Sequence, residues 1–243
     1  MNYQYSPNRF SILPVVVKNL LIINGIMFLA DIVLVRFGID LGGALGLHYF
    51  MSSGFRPYQL LTYMFMHGNF SHLFFNMFAL WMFGNTLENI WGSKRFLIYY
   101  IICGLGAAVM QELVQYIQIQ YYNLSDEMMY AVATEGSELL DSGRNWVGAL
   151  GNVNVIMNSS TVGASGAVYG LLLAFGMMFP NSMIYLYFLL PIKAKWFVIA
   201  YAVIELVTGV FSSGDHVAHF AHLGGMLVGL IIILIWKKKN RLF

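Results

Sequence analysis

The chain has 243 residues, 59% of them hydrophobic and only 10% charged, with a net charge of +2 and a single cysteine. A soluble domain carries roughly 25% charged residues, so the composition excludes one and predicts an all-α integral membrane protein. Cys103 alone excludes an intramolecular disulfide framework.

Six apolar segments read as transmembrane helices: residues 13–35, 70–87, 96–116, 162–179, 196–211 and 216–236. The first follows only a short polar stretch and lacks a small-residue cleavage signature, so it is expected to remain as a span. No soluble domain is expected at either end. Residues 1–12 then form a short N-terminus, 13–236 the membrane domain and 237–243 a basic tail. An even number of spans puts both termini on one side. Arg9, Lys18, Lys94, Arg95, Lys193, Lys195, Lys237, Lys238, Lys239 and Arg241 share that side, against Arg36, Arg56 and Arg144 opposite. The positive-inside rule therefore predicts cytoplasmic termini.

Two outer loops are long. Residues 36–69 are rich in glycine and aromatics and poor in charge, which suits a segment lying partly in the membrane interface. Residues 117–161 carry Asp126, Glu127, Glu135, Glu138 and Asp141 and read as an exposed insertion, helical in part over 125–140.

Polar groups recur near the outer ends of three spans. His72 and Asn76 are spaced i, i+4 and stack on one face of the second. Ser165 falls in the first turn of the fourth, within Gly163-Ala164-Ser165-Gly166. His222 lies in the sixth, six residues below its expected start, a depth of about 9 Å. A serine is a weak nucleophile until a base takes its proton, and a neutral histidine is suited to take it and return it to a leaving amine. Gly166 and Gly170 on the fourth span, and Gly225 and Gly229 on the sixth, have the small-residue spacing that lets membrane helices approach closely. Tyr169, one turn below Ser165, is expected to pack against the imidazole in place of the acidic residue of a triad. Asn76, an imidazole N–H of His72 and the backbone N–H of Ser165 at a helix N-terminus are suitable donors to an oxyanion.

His72-Leu73-Phe74-Phe75-Asn76, Gly163-Ala164-Ser165-Gly166 and Ala221-His222-Leu223-Gly224-Gly225 resemble, in order and sidedness, the three motifs of the rhomboid family of intramembrane serine proteases. The likeness runs from about residue 55 to 232. It implies a six-helix rhomboid-like bundle with Ser165 as nucleophile and His222 as general base. His72, Asn76 and the Ser165 N–H become the oxyanion hole, with Tyr169, Gly163, Gly166 and Gly225 in support. It further implies transmembrane protein substrates cut on the outer side, a loop around Ser212 to Asp215 that caps the site, and the second and fifth spans flanking the substrate's path. No cofactor, metal or nucleic acid is implied. The family's Trp-Arg pair in the first outer loop is not evident, Phe55-Arg56 being nearest, and the 117–161 insertion is longer than in compact members. The plan suits a prokaryotic plasma membrane.

Other readings are weaker. His216, His219 and His222 recur every three residues but fan around a helix, acidic ligands nearby look scarce, and no HExxH string is present. His219 is expected to face the interface or a loop, and His67 to support the oxyanion side at most. Two facing aspartates for an aspartyl protease are missing. A small transporter would show charged residues near the midplane and broken helices; Glu205, in the fifth span, is the only hint, and no role is assigned to it. The alternative from another class is a non-catalytic rhomboid-like protein that holds membrane clients.

Overall fold

A computed structural model of the protein describes residues 10–186, 189–211 and 218–239. The first helix, α1 (Val15–Leu34), opens directly after Pro14, a residue suited to a helix start because it has no N–H to satisfy. The free N–H groups of Val16 and Val17 are taken by Glu88, whose two carboxylate oxygens accept at 2.9 and 2.8 Å. An acid at a helix N-terminus meets the positive end of its dipole. Glu88 is buried and also accepts from the Ser93 hydroxyl at 2.6 Å.

The first outer loop is folded rather than open. It holds two short helices, α2 (Leu41–Leu45) and α3 (Gln59–Thr62). Gln59, 1% exposed, organises it: its amide donates to the Ala44 and Gly54 carbonyls, and its oxygen accepts from the Arg56 N–H. Arg56, half of the nearest match to a Trp-Arg pair, donates to the Ser53 and Phe55 carbonyls. Phe37, Phe50 and Met51 are exposed, as an interfacial segment requires.

The second predicted span is one helical run in three parts: α4 (Phe70–Ala79), a π-helical turn over Leu80–Gly84, and α5 (Asn85–Trp91). Gly92, at φ +77°, breaks it. Then α6 (Ser93–Tyr122) runs for 30 residues, beyond the predicted end at 116.

The insertion departs from its expected form. It is a helical hairpin of α7 (Asp126–Asp141) and α8 (Gly148–Asn158). Val132, Val153 and Met157 close a small second core with Ile119 of α6 and Tyr49 of the first loop. Two asparagines stitch the pair: Asn154 donates to the Gly136 carbonyl and Asn158 to that of Val132. Asparagines that link two helices look like loop composition in a sequence, and this is why the segment reads as more open than it is.

The last three helices are α9 (Ser165–Met178), α10 (Ala194–Phe211) and α11 (His219–Lys238). One element corrects the all-helical expectation. Between α9 and α10, β1 (Met183–Leu186) and β2 (Leu190–Lys193) form an antiparallel hairpin with Ile184 opposite Ile192. Pro180 follows the C-cap of α9, and the aromatic and β-branched residues after it favour extended chain.

α6, α9 and α11 pack on one another as the centre, with α10 against α9 and α11. Four helices are long and apolar enough to cross a membrane: Val15–Phe37, counting a 3₁₀ turn after α1, then Ser93–Tyr122, Ala194–Phe211 and His219–Lys238. The remaining two predicted spans are the three-part helix and the shorter α9. α1 and α10 expose Ile22, Ile26, Leu29, Ile199, Val203 and Val207 outward, as lipid-facing surfaces do. The protein is an integral membrane protein.

Candidate active site

Asn69 starts α4. Its side chain accepts from the backbone N–H of His72 at 2.8 Å, an N-cap that fixes the helix beginning three residues above the imidazole. On the other side of the site the chain reaches α9 through extended backbone pinned by a bridge between Leu47 and Thr161. The Gly163 N–H then donates to the Tyr63 carbonyl at 2.9 Å. Gly163 has φ +131°, and a Cβ there would sit 2.8 Å from Cε1 and Nε2 of the His72 ring. Only glycine suits both the backbone angle and the ring. Ser165 follows as the first residue of α9.

α9 and α11 meet backbone to backbone. A Cβ on Gly225 would overlap the Gly166 carbonyl. Gly170 serves the expected contact, facing the Gly225 carbonyl, and a second one as well: it and Gly229 both make room for Cys103 on α6, and Gly229 also for the Tyr99 ring. The close approach brings the His222 Nε2 to 2.7 Å from the Ser165 Oγ. Tyr169 lies flat on the imidazole, ring centroids 4.2 Å apart and planes within 4°.

Tyr169 packs on the imidazole as the sequence suggested, and a carboxylate that the sequence left without a role lies beside both rings. Glu205 reaches the site from α10 and is 6% exposed. Its Oε1 accepts from the Tyr169 hydroxyl. Its Oε2 lies 2.6 Å from Nδ1 of His219 and 3.0 Å from Nδ1 of His222. The His219 contact is a hydrogen bond, whereas Oε2 lies off the Nδ1–H direction of His222, and that buried N–H has no aligned acceptor. His219 also meets the Thr208 hydroxyl at 3.1 Å, so it is tied to α10. One signal was available for Glu205: a carboxylate deep in an apolar helix is costly unless partnered. What no spacing reveals is which neighbouring helix supplies the partner.

On α4, the Asn76 amide donates to the His72 carbonyl at 2.8 Å, which leaves its second N–H for a ligand. The His72 ring lies against Gly163, beside the Ser165 hydroxyl. His67 touches the His72 ring edge-on, centroids 5.1 Å apart. Burial first, then the His72 ring, hold the His67 imidazole down to about 4, so it is neutral at pH 7. His216 and the Ser212 to Asp215 loop lie outside the described residues.

Among the described residues, Glu205, His219 and His222 also have ligand atoms within 4.8 Å of one another. Acidic ligands are therefore less scarce than the sequence suggested. Both imidazoles nevertheless approach one carboxylate oxygen at hydrogen-bonding separations, and a metal ion would have to part them.

A profile of the Rhomboid domain matches residues 54–122 and 128–239. The Rhomboid protease AarA of Providencia stuartii is 28% identical over 186 residues, which is 71% of this chain and 53% of that protein. The RHOMBOID-like protein 6, mitochondrial, of Arabidopsis thaliana is 27% identical over 180 residues, 74% of this chain and 43% of that protein. The Rhomboid-like protein 11, chloroplastic, of the same plant is 26% identical over 246 residues, 88% of this chain and 66% of that protein. The chain thus spans between less than half and two thirds of these relatives' lengths. With the domain match covering most of its residues, the chain belongs to the rhomboid family.

Proposed function

We propose that this protein is an intramembrane serine endopeptidase that hydrolyses peptide bonds in or beside the transmembrane segments of other membrane proteins. The observation that carries the reading is the 2.7 Å contact between the Ser165 Oγ and the His222 Nε2, with Tyr169 stacked on the imidazole. Ser165 is the nucleophile and His222 the general base. The Ser165 N–H, Asn76 and His72 stabilise the oxyanion. Residues 13–236 form a six-span catalytic domain with cytoplasmic termini, and the site opens to the opposite side. The expectation of a prokaryotic plasma membrane gains nothing from relatives that include mitochondrial and chloroplast proteins, and it is left aside.

Purified protein in detergent or liposomes is expected to cleave a model transmembrane substrate and to be labelled at Ser165 by a fluorophosphonate. Ser165→Ala and His222→Ala are each expected to lower kcat by at least about 10³-fold, as loss of a nucleophile or base does. Cleavage by folded Ser165→Ala at the wild-type rate would exclude the assignment. Client binding with no cleavage by wild type would select the non-catalytic reading. The cluster of Glu205, His219 and His222 favours one rival, a metal-dependent site. Full activity in excess chelator excludes it.

A further inference from the structure

We infer that Glu205 completes the site as the acid of a Ser165–His222–Glu205 relay, holding the imidazole in the tautomer that presents a bare Nε2 to the serine. The inference rests on the protease reading above and adds a positioning residue to it.

The argument begins with one proton. For His222 Nε2 to accept from the Ser165 Oγ 2.7 Å away, Nε2 must be unprotonated, so the ring proton sits on Nδ1. That N–H is buried and has no aligned acceptor. The nearest anionic atom is Glu205 Oε2 at 3.0 Å. Catalytic hydrogen bonds are often poorly aligned before substrate binds and tighten afterwards. With no carboxylate there, neither tautomer is favoured, and the one protonated at Nε2 cannot accept the serine proton.

Glu205 is itself held as a positioning acid should be. The Tyr169 hydroxyl donates to Oε1 while the same ring stacks on His222. One residue therefore fixes both the acid and the base. His219 donates from Nδ1 to Oε2, and the Thr208 hydroxyl lies 3.1 Å from the same nitrogen. The carboxylate is buried in an apolar helix, where an ion is expensive unless it has partners, and here those partners are the base and its supports.

The chemical step balances without any further reactant. The Ser165 Oγ forms a bond to the substrate carbonyl carbon, and the carbonyl π pair moves onto oxygen. The Oγ proton passes to His222 Nε2, and Glu205 remains ionised beside the imidazolium. That proton then goes to the amide nitrogen as the C–N bond breaks. Water attacks the acyl-enzyme, gives one proton to Nε2, and Ser165 recovers it as the acyl C–O bond breaks.

The experiment compares Glu205→Gln, Glu205→Asp and Tyr169→Phe with wild type, reading kcat, KM, fluorophosphonate labelling rate and Tm. Glu205→Gln preserves shape but not charge. It is expected to lower kcat by about 10²–10⁴-fold with KM within twofold, and labelling should fall in parallel. Glu205→Asp, which keeps the carboxylate, should recover part of both. Tyr169→Phe keeps the ring stack and frees Oε1, with about a tenfold loss. If Glu205→Gln stays within twofold of wild-type kcat, the relay is wrong. It is equally wrong if Glu205→Asp is no better than Glu205→Gln at an unchanged Tm, or if the losses track Tm across all three variants. A wild type that neither cleaves nor labels sinks the protease reading itself, whereas an active wild type with silent Ser165→Ala and undiminished Glu205→Gln sinks the relay alone.

Discussion

Gly163 shows how narrowly single side chains define the site. Its φ of +131° and the His72 ring 2.8 Å from where a Cβ would stand exclude any other residue without rearrangement. Gly163→Ala therefore carries a backbone cost of about 1–3 kcal/mol and pushes the imidazole away from the serine. The expected outcome is a modest fall in Tm but a loss in kcat of about 10²-fold, the scale of one lost oxyanion donor. A variant with lowered Tm and intact kcat would remove His72 from the oxyanion side. At this scale Ser165, His222, His72, Asn76 and Tyr169 were legible in the sequence, because helical spacing places residues on a face and at a depth. The partner of Glu205 was not. His219, His222 and Tyr169 belong to two other helices, and the side each presents to α10 depends on packing that no local period encodes.

Contact between elements decides whether those residues meet. α9 and α11 approach so closely that a Cβ on Gly225 would overlap the backbone of Gly166, and this approach is what lets a short serine side chain reach an imidazole. A Cβ on Gly225 would stand 1.9 Å from the Gly166 carbonyl oxygen, so Gly225→Ala must push the two backbones apart. Overpacking of this kind costs about 1–3 kcal/mol, and the hydrogen bond at 2.7 Å has little slack. Tm and fluorophosphonate labelling should fall together. Gly25→Ala on α1, where a Cβ meets nothing within 4 Å, should change neither. Equal behaviour of the two variants would show that the close approach is not required. The glycine spacing announced this contact, yet it said nothing of Gly170 and Gly229 serving α6. Nor did it announce Glu88, whose carboxylate caps α1 from 72 and 71 residues away. Long-range capping leaves no periodic signal, and neither do the asparagines that close α7 on α8.

At the scale of the whole molecule, the protease reading proposed above would have the short α9 place the chemistry within the bilayer. Its 14 residues reach about 21 Å, against a hydrocarbon core of roughly 30 Å. On the proposed topology, with the C-terminal end of α9 near the cytoplasmic surface, Ser165 at the other end would lie below the outer surface. The extended residues that lead down to it are anchored to the first outer loop through the Leu47 and Thr161 bridge. A substrate helix arriving at this level offers no carbonyl, since each is bonded to an N–H four residues on. Unwinding must precede attack, and its cost depends on the residues at the scissile bond. Replacing two glycines there by leucine makes the helix more stable by about 0.8 kcal/mol each, so kcat/KM should fall about tenfold. Binding of the two substrates to Ser165→Ala should stay within twofold, which separates unwinding from docking. Equal cleavage of both would mean that the bond is already exposed on arrival, and that the depth of Ser165 plays no part in selecting substrates.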